Sequence, residues 1–153
     1  MKMNFGRQAL AATLVAAGIA FAPAITYAQA APQQVVPKSE RHKVVLQVSD
    51  DNPKNWTTAF NVINNLTQTY GRDNVEIELV AFSDGIHSLA FDSKVANRIP
   101  GALERGAKVI ACENSMKRFK LARGDMSPEL GYVEAGVRRI IERQKEGWAV
   151  IRP

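Results

Sequence analysis

Cys112 is the only cysteine in the chain, and it stands where an apolar run, Lys108 to Cys112, gives way to the polar segment Glu113-Asn114-Ser115-Met116-Lys117. A thiol does chemistry mainly as a thiolate, and the thiolate fraction rises at helix N-termini and beside cations. The sequence supplies both. Asn114 or Ser115 is placed to cap a short helix, leaving Cys112 just ahead of unpaired backbone N–H groups. Lys117, Arg118, Lys120 and Arg123 follow, opposed by Glu113. The alternative is a small hydrophobe at a strand end, since free cysteine is among the most buried residue types, with the bases forming a solvated helix face.

Other residues could serve that thiol. His87 can act as its general base or hydrogen-bond partner if their loops meet, and Asp84 either orients His87 or forms a turn. His42 belongs to the far end of its strand and reads as structural. Several chemistries find no support. One cysteine and two well-separated histidines contain no C-x-x-C or H-x-x-x-H pair, so no metal site is expected. There is no G-x-S-x-G, G-x-x-x-x-G-K or G-x-G-x-x-G, and no cofactor is expected. A lone cysteine also rules out intramolecular disulfide exchange. Asn55-Trp56-Thr57 and Asn65-Leu66-Thr67 match a glycosylation sequon, but both fall on a predicted helix and read as chance.

The elements that must position these residues follow from apolar periodicity. Lys43 to Val48, Val75 to Phe82, Lys108 to Cys112, Tyr132 to Glu134 and Trp148 to Ile151 have strand length and strand composition. Between them, Asn55 to Tyr70 carries Trp56, Ala59, Phe60, Ile63, Leu66 and Tyr70 as one helical stripe, closed by Gly71. Ser93 to Arg105 is helical but interrupted at Pro100-Gly101, and Asn114 to Leu121 is a short helix. Gly136 to Gly147 is a helix with Val137, Ile140 and Ile141 inward and Arg138, Arg139, Glu142, Arg143 and Glu146 outward. Strands alternating with helices, apolar on both faces, predict a parallel sheet covered on both sides. Such a sheet collects its strand-to-helix loops at the carboxyl edge, where ligands bind. Ser49, Asp50 and Asp51, then Ser83, Asp84 and His87, then Cys112, Asn114 and Ser115 become candidate neighbours there.

Residues 1–30 read as a secretory signal. Lys2 and Arg7 precede an apolar run from Ala9 to Ala24, and Ala28-Gln29-Ala30, or Thr26-Tyr27-Ala28, fits a cleavage site. The run is short for a membrane span, which needs roughly twenty residues, so no membrane insertion is expected after cleavage and the mature protein is expected to be periplasmic or secreted. Residues 31–41 form a flexible lead-in rich in Ala, Pro and Gln, and residues 42–153 form one domain. Without the leader's two bases the full-chain charge of +5 falls to +3. That mild balance lacks the concentrated basic face of a nucleic-acid binder. In an exported protein, an unpaired cysteine suggests a reactive thiol or an intermolecular disulfide.

Four segments, KVVLQVSDDNPKNWTTAFNVINNL, VEIELVAFSDGIHSL, GAKVIACENSMKRF and VEAGVRRIIERQKEGWAVIRP, together resemble the DsrE/DsrF-like family of small sulfur-relay proteins across residues 42–153. The A-C-x-N-[ST]-M-K segment at Ala111–Lys117 and the Gly136–Ala149 segment carry most of the resemblance. It implies a three-layer α/β/α fold on a five-stranded parallel sheet in a single domain, association into homo-oligomers, and sulfur donor and acceptor proteins as partners. It also implies a cysteine that carries sulfane sulfur as a persulfide, a role that falls on Cys112 alone. Ser83, Asp84, Asp50, Asn114, Ser115 and Lys117 are the accompanying candidates for binding. A relay of this kind needs an accessible thiolate and no triad, which fits a sulfur carrier or sulfurtransferase. The competing expectation is a non-catalytic oligomeric binding or assembly module with a structural cysteine.

Overall fold

The computed structural model describes residues 41–153; the expected signal and all but the last residue of the lead-in lie outside the described residues. Five parallel strands form one sheet in the order β4-β3-β2-β1-β5: β1 is His42–Val48, β2 Val75–Ala81, β3 Lys108–Cys112, β4 Gly131–Val133 and β5 Ala149–Ile151. The four helices are α1 (Pro53–Tyr70), α2 (Ile99–Glu104), α3 (Glu113–Arg118) and α4 (Gly136–Lys145).

Local chemistry sets the first helix. Asn52 caps α1 by accepting from Lys54 N at 3.0 Å, and Pro53 occupies the first turn, where its missing N–H costs nothing. Gly71, at φ 83°, ends the helix in a conformation few side chains adopt. Trp56, Ala59, Phe60 and Ile63 are buried from this helix, whereas Tyr70 is half exposed and packs its ring 3.9 Å from that of His42.

The segment after β2 departs from one interrupted helix. It folds as a 3₁₀ stretch at Ser83–Leu89, a 3₁₀ turn at Ala96–Arg98 and then α2. Pro100 does not kink a helix; it lies in the first turn of a new one, where proline is tolerated. α3 also begins a residue earlier than expected and stops at Arg118, with Lys120 turning the chain at φ 57°.

Two helical layers cover the sheet unequally. α1 packs on β1 and β2 and α2 on β3, enclosing the main core around Leu46, Ile63, Leu79, Ile86 and Val109. α4 carries the chain from β4 back across the sheet to β5 and packs on β1, β2, β3 and β5 over a smaller cluster of Val45, Val80, Ile110, Ile140 and Trp148. α4 is turned otherwise than its apolar periodicity predicts. Of its apolar residues only Ile140 is buried; Val137 and Ile141 are 51% and 47% exposed. Arg139 and Arg143, expected to face outward, instead turn onto the sheet and clamp Glu78 of β2, which is fully buried. A carboxylate in the middle of a covered strand recruits its counter-charges from the helix above it, and α4 rotates to supply them.

Candidate functional site

The β2 and β3 loops meet beyond the carboxyl ends of their strands. β2 and β3 are neighbours with Ala81 beside Ala111, so Phe82 and Ser83 emerge next to Cys112. Ser83 N donates to Ser115 Oγ at 2.8 Å, joining the two loops. Ser83 adopts φ 50°, unusual for a residue with a side chain, and Phe82 N donates to Val48 O at 3.0 Å, tying the first loop to the second. Gly85 fits so closely beneath β1 that an added Cβ would stand 2.3 Å from Val48 O.

Cys112 closes β3 and occupies the cap position of α3, at φ −84° and ψ 113°. The cap expected from Asn114 or Ser115 does not form, because both lie inside the first turn. β4 pairs with β3 so that Val133 lies beside Cys112, and the chain then turns into α4. This brings Gly136 N to 3.3 Å from Cys112 Sγ. When protonated, the thiol donates to Glu134 O at 3.7 Å, and Asn114 N donates to the same carbonyl at 3.1 Å. A side chain at position 136 would be crowded: its Cβ would lie 3.0 Å from Phe82 Cβ and 3.3 Å from Cys112 Cβ, so these neighbours would have to shift. The glycine therefore lets the first N–H of α4, at the positive end of the helix dipole, reach the sulfur.

These donors decide the state of the thiol. Burial pushes the Cys112 thiol up, but the Ser115 hydroxyl and then the N–H groups of Gly136, Ser115 and Asn114 outweigh it and hold the thiol below its ordinary range. Ser115 is suited to this role because its oxygen already accepts from Ser83 N, which leaves its proton to donate. Cys112 itself is only 4% exposed. The residue nevertheless lines an open pocket of about 310 Å³ walled by Phe82, Ser83, Asn114, Arg118, Ala135 and Val137 among others. Arg118 supplies the only formal charge on that lining.

The remaining candidates divide. Ser83, Asn114 and Ser115 gather at the pocket, and Asp84 sits at its margin, with Ser83 Oγ 3.4 Å from Asp84 Oδ2. His87 is not part of the lining; its ring meets that of Phe119 edge-on at 4.6 Å. Lys117 is exposed on the outer side of α3 and does not line the pocket. Asp50 belongs to the start of α1, where its carboxylate accepts from Asn52 N and Asn55 Nδ2 and its carbonyl from Trp56 Nε1. Gly136 and Val137 were not anticipated as site residues. The signal for them was present as a glycine opening the last helix, but only the pairing of β4 with β3 reveals what that glycine faces. No group of three or more potential metal ligands occurs among the described residues.

A family model described as the DsrE/DsrF-like family matches residues 42–153. Among solved structures, MTH1491 from Methanobacterium thermoautotrophicum, a protein of unknown function, is 29% identical with a TM-score of 0.69, covering 73% of this chain and 99% of that one. YchN from E. coli shares the fold at a TM-score of 0.56 and 7% identity, over 74% of this chain and 99% of its own. BT1422 from Bacteroides thetaiotaomicron, also of unknown function, reaches 0.53 at 19% identity, over 72% and 94% of the two chains. No curated protein matches the sequence.

Proposed function

Because the chain belongs to the DsrE/DsrF-like family, matched across residues 42–153, and membership points to sulfur relay at the level of the family, we propose that this protein is an exported sulfur carrier acting through Cys112. The Cys112 thiolate attacks the outer sulfur of a persulfide or polysulfide donor. One S–S bond forms, the donor's S–S bond breaks, and the donor leaves as a thiolate. Cys112 then holds Cys–S–SH until a partner thiolate attacks that outer sulfur and restores the free thiolate, so the cycle is redox-neutral. The observation that carries the reading is Gly136 N–H, the first of α4, donating to Cys112 Sγ at 3.3 Å beside an open pocket that Cys112 lines, an arrangement that favours the anion. Arg118 on the pocket wall suits an anionic sulfur donor. The protein acts as a homo-oligomer, with the exposed Val137 and Ile141 beside the pocket available for contact.

Incubation of the mature protein with inorganic polysulfide, followed by intact-mass measurement, tests the carrier. The expected product is one added sulfur, removed by reductant and absent from Cys112→Ser. An adduct that survives this substitution, or none at all, would overturn the reading. The 4% exposure of Cys112 favours a second reading, a structural cysteine in a binding or assembly module. That reading requires the native thiol to resist alkylation at neutral pH while the denatured chain reacts at once.

A further inference from the structure

Resting on the relay reading above, we propose that Glu78 is a positioning residue for the Cys112 site: by clamping Arg139 and Arg143 it seats α4 so that Gly136 N–H stays on the sulfur. The geometry is that of a double fork. Arg139 donates from Nε to Glu78 Oε2 at 3.0 Å and from Nη2 to Oε1 at 2.9 Å. Arg143 does the same from Nε at 3.0 Å and Nη2 at 2.8 Å. Glu78 is 0% exposed and Lys108 Nζ of β3 stands 3.9 Å away, while Glu146, just past α4, pairs with the remaining Nη1 of Arg143.

α4 has little else to hold it. Five buried residues form the cluster beneath it, against twenty-one on the opposite side of the sheet among the described residues, and Val137 and Ile141 stay about half exposed. A buried ion cluster adds little net stability for the desolvation it costs, but it fixes register, because its forks bond in only one alignment. Here the alignment matters at the helix start. Arg139 lies one turn after Gly136, roughly 4.5 Å along the axis at 1.5 Å per residue, so a slip at the clamp is passed directly to the N–H that meets Sγ. Burial resists ionisation of Glu78, but the hydrogen bonds and charges of Arg143 and Arg139 hold its carboxyl below the usual range, keeping the clamp charged at neutral pH.

The test reads the thiol itself and needs no sulfur donor, so it stands apart from success or failure of the relay. The pH dependence of thiolate absorbance and of alkylation rate is measured in the wild type, Arg139→Lys, Glu78→Gln and the neighbouring Arg138→Lys, each checked for native circular dichroism. Arg139→Lys keeps the charge and loses the fork; the thiol titration is expected to move upward and neutral-pH thiolate to fall about tenfold, the equivalent of one bond to a charged group. Glu78→Gln is expected to move it the same way. Simple removal of a negative charge, roughly 13 Å back along the strand at 3.3 Å per residue, would move it in the opposite direction. Arg138→Lys is expected to leave the titration unchanged. An unshifted titration in folded Arg139→Lys, a downward shift in Glu78→Gln, or an equal shift in Arg138→Lys would overturn the proposal. If Glu78→Gln does not fold, Arg139→Lys and Arg138→Lys decide.

Discussion

Ser115→Ala tests the Ser115 hydroxyl as a group that lowers the Cys112 thiol. The substitution removes the hydroxyl that lowers the thiol and at the same time orphans Ser83 N, which donates to Ser115 Oγ at 2.8 Å. A hydrogen bond to a charged group contributes about 1.5–3 kcal/mol. The pocket is open to water on one side, which places this bond at the lower end, about 1.5 kcal/mol, or roughly a tenfold loss of thiolate relative to thiol. Alkylation by a small neutral reagent at neutral pH should slow accordingly. Stability should show a second signature. The folded thiol lies below its unfolded value, so its ionisation stabilises the native state above the unfolded value of about 8.5, and that contribution is lost as pH falls through the folded value. At acidic pH, Ser115→Ala should cost only the orphaned Ser83 N–H, about 1 kcal/mol. Above pH 9 the deficit should grow to about 2.5 kcal/mol, the sum of the two effects. Denaturant midpoints of both proteins across that range give the comparison. A deficit that stays flat with pH, together with an unchanged alkylation rate, would refute the assignment of Ser115 as the thiolate's donor.

Two further outcomes are expected. Gly85→Ala sets a methyl 2.3 Å from Val48 O and 2.7 Å from Ser49 N, atoms that cannot rotate away, and should cost about 3 kcal/mol in a denaturation experiment; a cost below about 1 kcal/mol would mean the loop after β2 moves freely. The carboxyl of Glu78, pushed up by burial yet held down by Arg143 and Arg139, contributes stability present above the unfolded value of about 4.3 and lost as pH falls through the lower folded value. The wild type should therefore weaken between about pH 5 and pH 2 more steeply than Glu78→Gln, and parallel acid titrations of stability would show the clamp carries no such dependence.

The sheet was legible because each strand is a short β-branched run between turn formers, and its neighbours follow from alternation with helices. The orientation of α4 was not. Its sequence offers Val137, Ile140 and Ile141 as an apolar stripe, and periodicity favours burying all three. The deciding residue lies about sixty positions away: Glu78, a charge within VEIELVA, is buried and takes its forked partners from Arg139 and Arg143. Periodicity reads one element at a time and cannot see such a demand. The site was half legible for the same reason. The segment around Cys112 announces itself, and Ser83 and Ser115 fall where parallel connections place them. Gly136 depends on the β3–β4 register, and His87 on the 3₁₀ path after β2, which carries its ring to Phe119.

The bonds that activate Cys112 also span long stretches of chain. Gly136 is 24 residues away, and Ser115 is held in place by Ser83, 32 residues before it. Contacts of that separation must overcome more loop-closure entropy than local ones. An unfolded chain therefore carries an ordinary thiol, mostly protonated at neutral pH, and the lowered thiol exists only once the loops after β2, β3 and β4 have met. Thiol reactivity in this protein is in that sense a reporter of completed folding.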